Sequence, residues 1–164
     1  PAQVDIPGYI ALVGEGRYAD AVKLIRKDNP FPTACALICE HPCEARCRRS
    51  MIDAPINIRG LKRMAVDNAP ANTVPVPEKA ETTGKRIAII GGGPSGLAAA
   101  YYLELMGHHA VVFEAKSKLG GMLSLFIGCL FPIKTDFGIA LSVSNSCHSK
   151  VHTNLRTLAL EVCS

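Results

Sequence analysis

Between Lys85 and Ala115 the chain reads KRIAIIGGGPSGLAAAYYLELMGHHAVVFEA, and no other stretch restricts its fold so tightly. An apolar run, a glycine triplet, a helix-compatible run closed by Gly107 and a second apolar run follow one another. That order predicts a buried strand, a tight turn, a helix beginning near Ser95 and a second buried strand of a parallel sheet. Gly91, Gly93 and Gly96 stand in the G-x-G-x-x-G spacing. The spacing is weak by itself, but here it follows a strand and opens a helix, which is the context the motif requires. Gly91 permits the turn, Gly93 lacks the side chain that would block a pyrophosphate, and Gly96 lets helix and strand approach. The helix N-terminus then offers its free N–H groups to phosphate. Glu114 ends the second strand about 20 residues on, where a carboxylate can accept hydrogen bonds from ribose hydroxyls and would repel a 2′-phosphate. FAD or NAD therefore fits better than NADP. The plainer reading is a glycine turn that binds nothing, and the register of strand, helix, strand and acid argues against it. His108 and His109, beside Gly107, read as solvated turn residues.

The second constraint lies upstream, in PTACALICEHPCEARCRRS. Cys35, Cys39, Cys43 and Cys47 recur at every fourth position. Structural zinc usually pairs its ligands as C-x2-C, whereas 4Fe–4S clusters take thiolates at more varied spacings. Spacing alone favours iron–sulfur and leaves zinc open; unliganded buried cysteines are the bland alternative. Pro42 interrupts any continuous helix, so a loop with short turns is expected to present the thiols. Arg46, Arg48 and Arg49 would offset thiolate charge, or form a solvated basic face.

Around the cysteines the sequence reads as helical. Asp5 and Pro7 suit a helix start, with Gly14 and Gly16 at its end. Tyr18, Ala21, Val22 and Ile25 share one face of a second helix, stopped by Pro30 and Pro32. Asn57 suits the cap of a third, in which Ile58, Leu61 and Ala65 share a face. Pro70, Pro75 and Pro77 mark a linker before the glycine motif. The tail from about residue 124 has a weak pattern; GIALSVSNSCHSKVHTNLRTLALEV is compatible with one or two strands.

The 164 residues suit one ordinary domain or two small ones. A net charge of +4 is too diffuse to argue for nucleic acid. The apolar run MLSLFIGCLFPI is shorter than the roughly 20 residues a membrane span requires. With no secretion signal, the seven cysteines point to a reducing, cytoplasmic setting. With Pro1 in place of an initiator Met, a processed product or an excised fragment is expected.

From DIPGYIALVGEGRYADAV through the cysteines to APINIRGLKRMAVD, and again over GKRIAIIGGGPSGLAAA…FEA…LGGML, the chain resembles the glutamate synthase small-subunit family. That family includes the N-terminal region of dihydropyrimidine dehydrogenase and similar NAD(P)H-dependent flavoprotein subunits. The resemblance implies a helical, alpha-helical ferredoxin-like iron–sulfur domain over 1–70 and a linker over 71–84. It further implies the start of a Rossmann-like FAD/NAD-binding domain over 85–123, incomplete, and an unassigned divergent tail over 124–164. It implies electron flow from NAD(P)H through FAD to 4Fe–4S clusters and on to a larger partner subunit. By the same resemblance Cys39, Cys43 and Cys47 are cluster ligands, and Cys35 occupies a position that is often cysteine. Gly91, Gly93, Gly96 and Glu114 would hold FAD, and Gly120 and Gly121 would lie beside it.

The chain departs from the pattern in three places. The family's first cysteine group falls upstream of Pro1. Lys62 stands where some members carry a Gln or Glu ligand. SLFIGCLFPIKTDFG does not continue as the family does, and Cys129, Cys147 and Cys163 read as incidental thiols.

Overall fold

The structure, a computed structural model, describes residues 3–70, 73–75, 77–116, 119–123 and 142–145. The chain divides into two compact units at Pro75/Val76.

The first unit is helical. Asp5 accepts the N–H of Gly8 at 2.9 Å and starts α1 (Ile6–Gly14). Helix α2 (Tyr18–Asp28) buries Ala21, Val22 and Ile25, as the periodicity predicts. Two short helices, α3 (Pro32–Ile38) and α4 (Pro42–Ala45), and a 3₁₀ turn (Arg48–Met51) carry the cysteine stretch. Asn57 accepts the N–H of Gly60 at 2.9 Å and starts α5 (Ile58–Asn68). The core joins Tyr9 and Val13 of α1, the α2 face, Ile58 and Ala65 of α5, and Val74. Tyr9 and Ile25 are wholly buried. Each large apolar side chain removed from water this way contributes about 1.5–3 kcal/mol.

The second unit is a parallel sheet with one helix. Strand β1 (Arg86–Ile90) leads through the glycine turn into α6 (Pro94–Leu105), which returns to β2 (His109–Glu114). The tail supplies β3 (Ser142–Asn145), parallel to β2, and the sheet order is β1-β2-β3. A third strand matters because two strands alone are marginal. Ile87 and Ile89 register with Ala110 and Val112, and this face meets α6. The expectation of strands buried on both faces is corrected. Ile90 is 92% exposed and its register partner Phe113 is 44% exposed, because α6 covers only one side of this pair of strands.

The stretch expected as a linker has no helix or strand over 77–85, yet its C-terminal part is fastened to α6. Ala80 N–H donates to Leu105 O at 2.9 Å, Thr83 N–H to Gly107 O at 2.9 Å, and Lys79 Nζ meets Glu104 Oε2 at 2.6 Å. Among the described residues, no helix is long and apolar enough to cross a membrane. The apolar run beyond Leu123 and Cys129, Cys147 and Cys163 lie outside the described residues.

Candidate cofactor sites

The glycine turn is built by close contact. Gly91 adopts φ +98°, a conformation L side chains rarely take, and its N–H donates to Phe113 O at 2.8 Å. A Cβ on Gly96 would lie 2.0 Å from Gly91 O, so only glycine lets α6 start this close to β1. A Cβ on Gly93 would meet nothing within 4 Å. The space a pyrophosphate would need is open there, at the start of α6.

Glu114 reaches back to this turn. Its Oε2 accepts Gly92 N–H at 2.7 Å and its Oε1 accepts Lys116 N–H at 2.9 Å. These bonds, Lys116's first and then Gly92's, hold the carboxyl below its usual range, so it stays ionised. A carboxylate has about four lone-pair sites, so capacity remains for a ribose diol. The LGGM loop also docks on the turn. Gly120 N–H donates to Gly92 O at 2.8 Å, and a Cβ on Gly121 would lie 3.0 Å from Gly93 Cα. Gly91, Gly93, Gly96, Glu114, Gly120 and Gly121 are thus brought to one place. His108 and His109 are solvent-accessible beside Gly107, with His108 Nδ1 2.6 Å from Thr83 Oγ1 and His109 as the first residue of β2.

In the first unit the cysteines are free thiols, each half-buried. Cys35 lies within α3, Cys39 caps it, Cys43 lies in α4 and Cys47 precedes the 3₁₀ turn. Short helices therefore carry two of them, where a loop was expected; Pro32 and Pro42 each begin a new helix rather than only ending one. Cys39 Sγ accepts His41 N–H at 3.4 Å, and His41 takes a left-handed conformation (φ 42°) to offer it. Backbone N–H groups of Ile56, Arg49 and Ser50 point at Cys47 and pull its thiol below the ordinary range. Arg49 assists electrostatically while bonding Asp53 through Nε and Nη2, each at 2.8 Å. Of the three arginines expected to offset thiolate charge, Arg49 lowers the pKa of Cys47 electrostatically.

Three further residues organise this stretch, and none stood out in the sequence. Glu44 Oε1 accepts Arg59 N–H at 2.8 Å at the start of α5, and Arg59 Nη1 donates to Cys39 O at 3.0 Å. Tyr9 donates to Ile58 O at 3.1 Å. Burial first, then the negative charge of Cys43, Glu44 and Cys39, raises its pKa far above the normal range. Lys62 Nζ sits 5.9 Å from the Tyr9 ring centre, within cation–π reach. N–H groups aimed at sulfur suit thiolates, so the donor chemistry fits a thiolate-bound cluster. Among the described residues, however, no three His, Cys, Asp or Glu side chains converge as a metal site.

Comparison with known proteins agrees with both halves. Residues 1–74 match the family described as dihydropyrimidine dehydrogenase domain II, 4Fe-4S cluster, and residues 89–126 match the NAD(P)-binding Rossmann-like domain. The NADPH-Fe(3+) oxidoreductase subunit beta of Geobacter sulfurreducens is 42% identical over 134 residues, covering 77% of this chain and 19% of that protein. The NADP(+)-dependent formate dehydrogenase subunit beta of Moorella thermoacetica is 38% identical, covering 77% of this chain and 21% of that protein. The glutamate synthase [NADPH] small chain of Bacillus subtilis is 36% identical, covering 73% and 24%. The chain thus spans a fifth to a quarter of the length of these relatives. With a 4Fe-4S domain match ahead of a Rossmann-like match, the chain is similar to glutamate synthase small chains and related NAD(P)-dependent oxidoreductase subunits.

Proposed function

We propose that this chain is the electron-transfer module of an NAD(P)H-dependent FAD and 4Fe–4S oxidoreductase, working with a larger subunit that accepts the electrons. The observation that carries the reading is the glycine turn: open space at Gly93, an ionised Glu114 beside it and the Gly120–Gly121 loop against it. Bound FAD supplies hydride acceptance and one-electron release, and a 4Fe–4S cluster supplies one-electron steps.

The chain's own residues do the binding and orienting. The start of α6 faces the pyrophosphate, and Glu114 accepts from the adenosine ribose while opposing a 2′-phosphate. Cys39, Cys43 and Cys47 supply thiolates, with Cys35 as a further thiol in the same stretch. His41 N–H bonds Cys39 Sγ, and backbone N–H groups lower the pKa of the Cys47 thiol. No general acid or base is required of these residues.

Purification without oxygen, a visible spectrum, and assays of iron, sulfide and zinc test the reading. Brown protein with iron and sulfide is expected. Serine at Cys39, Cys43 or Cys47 should remove the colour. Colourless protein with stoichiometric zinc would overturn it. A second reading is a zinc-bound or metal-free helical docking module with an idle nucleotide turn, and the lack of convergence among the described cysteines favours its metal-free form. The same assays separate the two.

A further inference from the structure

The loop that follows Cys47 exposes apolar surface that nothing in its own unit uses. Met51 is 86% exposed and Ile52 is 88% exposed, side by side at the end of the 3₁₀ turn. Arg46 and Arg48 precede them in the chain, both exposed, and neither guanidinium is engaged by a carboxylate among the described residues. Across Arg46–Asp53, Arg46, Arg48 and Arg49 stand against the single carboxylate of Asp53, which pairs with Arg49. The net charge of this turn is therefore positive.

The turn is also well fastened. Ser50 N–H donates to Cys47 O at 3.1 Å, Ile52 N–H to Arg49 O at 2.9 Å and Asp53 N–H to Arg49 O at 3.0 Å, in addition to the Arg49–Asp53 pair. Two aliphatic side chains held in water on a braced turn lose little further backbone freedom on binding. Arg and Met are enriched in interface cores, and small electron-transfer interfaces depend on charge steering.

We infer that the Arg46–Ile52 tip is a docking surface for the electron-accepting protein, whose complementary face is a shallow aliphatic recess rimmed by carboxylates. The inference rests on the electron-transfer reading above and names the surface chemistry of that partner. Arg46 and Arg48 steer the encounter, and Met51 and Ile52 fill the recess. Cys47 caps the same turn, so a partner seated on the tip meets the chain beside a sulfur of the proposed centre.

The test titrates the full chain with a small, strongly acidic flavodoxin at low and high salt, alongside R46E/R48E and M51S/I52S. Iron and sulfide are assayed on every sample. Wild type should bind at low salt and weaken with added salt. R46E/R48E should lose about tenfold or more in affinity with a flattened salt dependence, and M51S/I52S about tenfold at every salt concentration. Metal content should be unchanged in both. The docking inference is overturned by any of four results: no binding by wild type, equal affinity of variants and wild type, iron loss in the variants that accounts for the binding loss, or self-association abolished by M51S/I52S, which would assign the tip to a second copy. Tip-dependent binding by a chain that holds no iron supports docking while removing the redox reading.

Discussion

Glu114 Oε2 accepts the N–H of Gly92 at 2.7 Å, so the acid closing β2 is fastened to the turn that follows β1. The residue expected to meet a ribose also ties together the two strands that build the site. Protonating it should disturb both roles.

The direction of that pH effect follows from the bonds. Lys116 and Gly92 N–H groups lower the folded-state pKa of Glu114. The stabilisation is therefore complete above the unfolded pKa and is lost as pH falls through the folded one. A Glu114→Gln chain lacks this dependence. The melting-temperature gap between wild type and the variant should stay constant above about pH 5 and close on acidification toward about pH 3. A gap that widens on acidification would contradict the assignment.

Gly93 and Gly96 should separate binding from folding. Gly96→Ala drives a methyl to within 2.0 Å of Gly91 O, a backbone atom with little freedom to yield. A loss of about 2–3 kcal/mol in the stability of the second unit is expected by denaturant titration. Gly93→Ala meets nothing within 4 Å and should leave that stability within about 0.5 kcal/mol. It should nevertheless weaken FAD retention in gel filtration, because its methyl enters the space proposed for the pyrophosphate. Equal flavin binding by Gly93→Ala and wild type would count against the turn as a dinucleotide cradle.

The sequence disclosed what depends on near neighbours. Asp5 and Asn57 cap their helices because a cap needs only the N–H three residues on. The α2 face and the strand–turn–helix of the glycine motif are equally local. Residue pairings at long separation were not legible. Tyr9 and Ile58 are 49 residues apart, and neither Glu44 nor Arg59 carries a signal that names the other. The apolar content of β1 and β2 implied burial on both faces, but it cannot say what covers the second face, and Ile90 stands 92% exposed. The cysteine spacing announced thiolate chemistry without disclosing that Cys35 and Cys43 ride on separate short helices.

Lys79 and Glu104 form a pair whose halves should fail unequally. Glu104 is 7% exposed, and its carboxylate also accepts Ala110 N–H at 2.8 Å. Lys79→Met leaves that carboxylate buried without its cation and should cost about 3 kcal/mol. Lys79→Met combined with Glu104→Met removes both charges and should recover most of that loss, because an apolar pair of similar volume is often neutral or better. Thermal unfolding of the single and double variants measures the difference. If the double variant were no more stable than the single one, the Ala110 bond rather than the ion pair would be the stabilising contact.

Tyr9 gives the corresponding test for the helical unit. Its ring is wholly buried among α1, α2 and α5, and its hydroxyl is bonded to Ile58 O in the first turn of α5. Tyr9→Phe keeps the ring and leaves Ile58 O without that donor, so a loss of about 1 kcal/mol is expected. Tyr9→Ala also opens a cavity under Lys62 and should cost about 3–5 kcal/mol, close to the whole stability of a small domain. Because Cys39 and Cys43 both act electrostatically on this hydroxyl, their thiols lie near the same core. Tyr9→Ala should therefore raise the alkylation rate of Cys39 and Cys43 along with unfolding, whereas Tyr9→Phe should leave it near the wild-type value. Mass spectrometry of iodoacetamide-treated chains reads both rates, and a Tyr9→Phe chain as reactive as Tyr9→Ala would show that the hydroxyl, not the buried ring, secures the cysteine stretch.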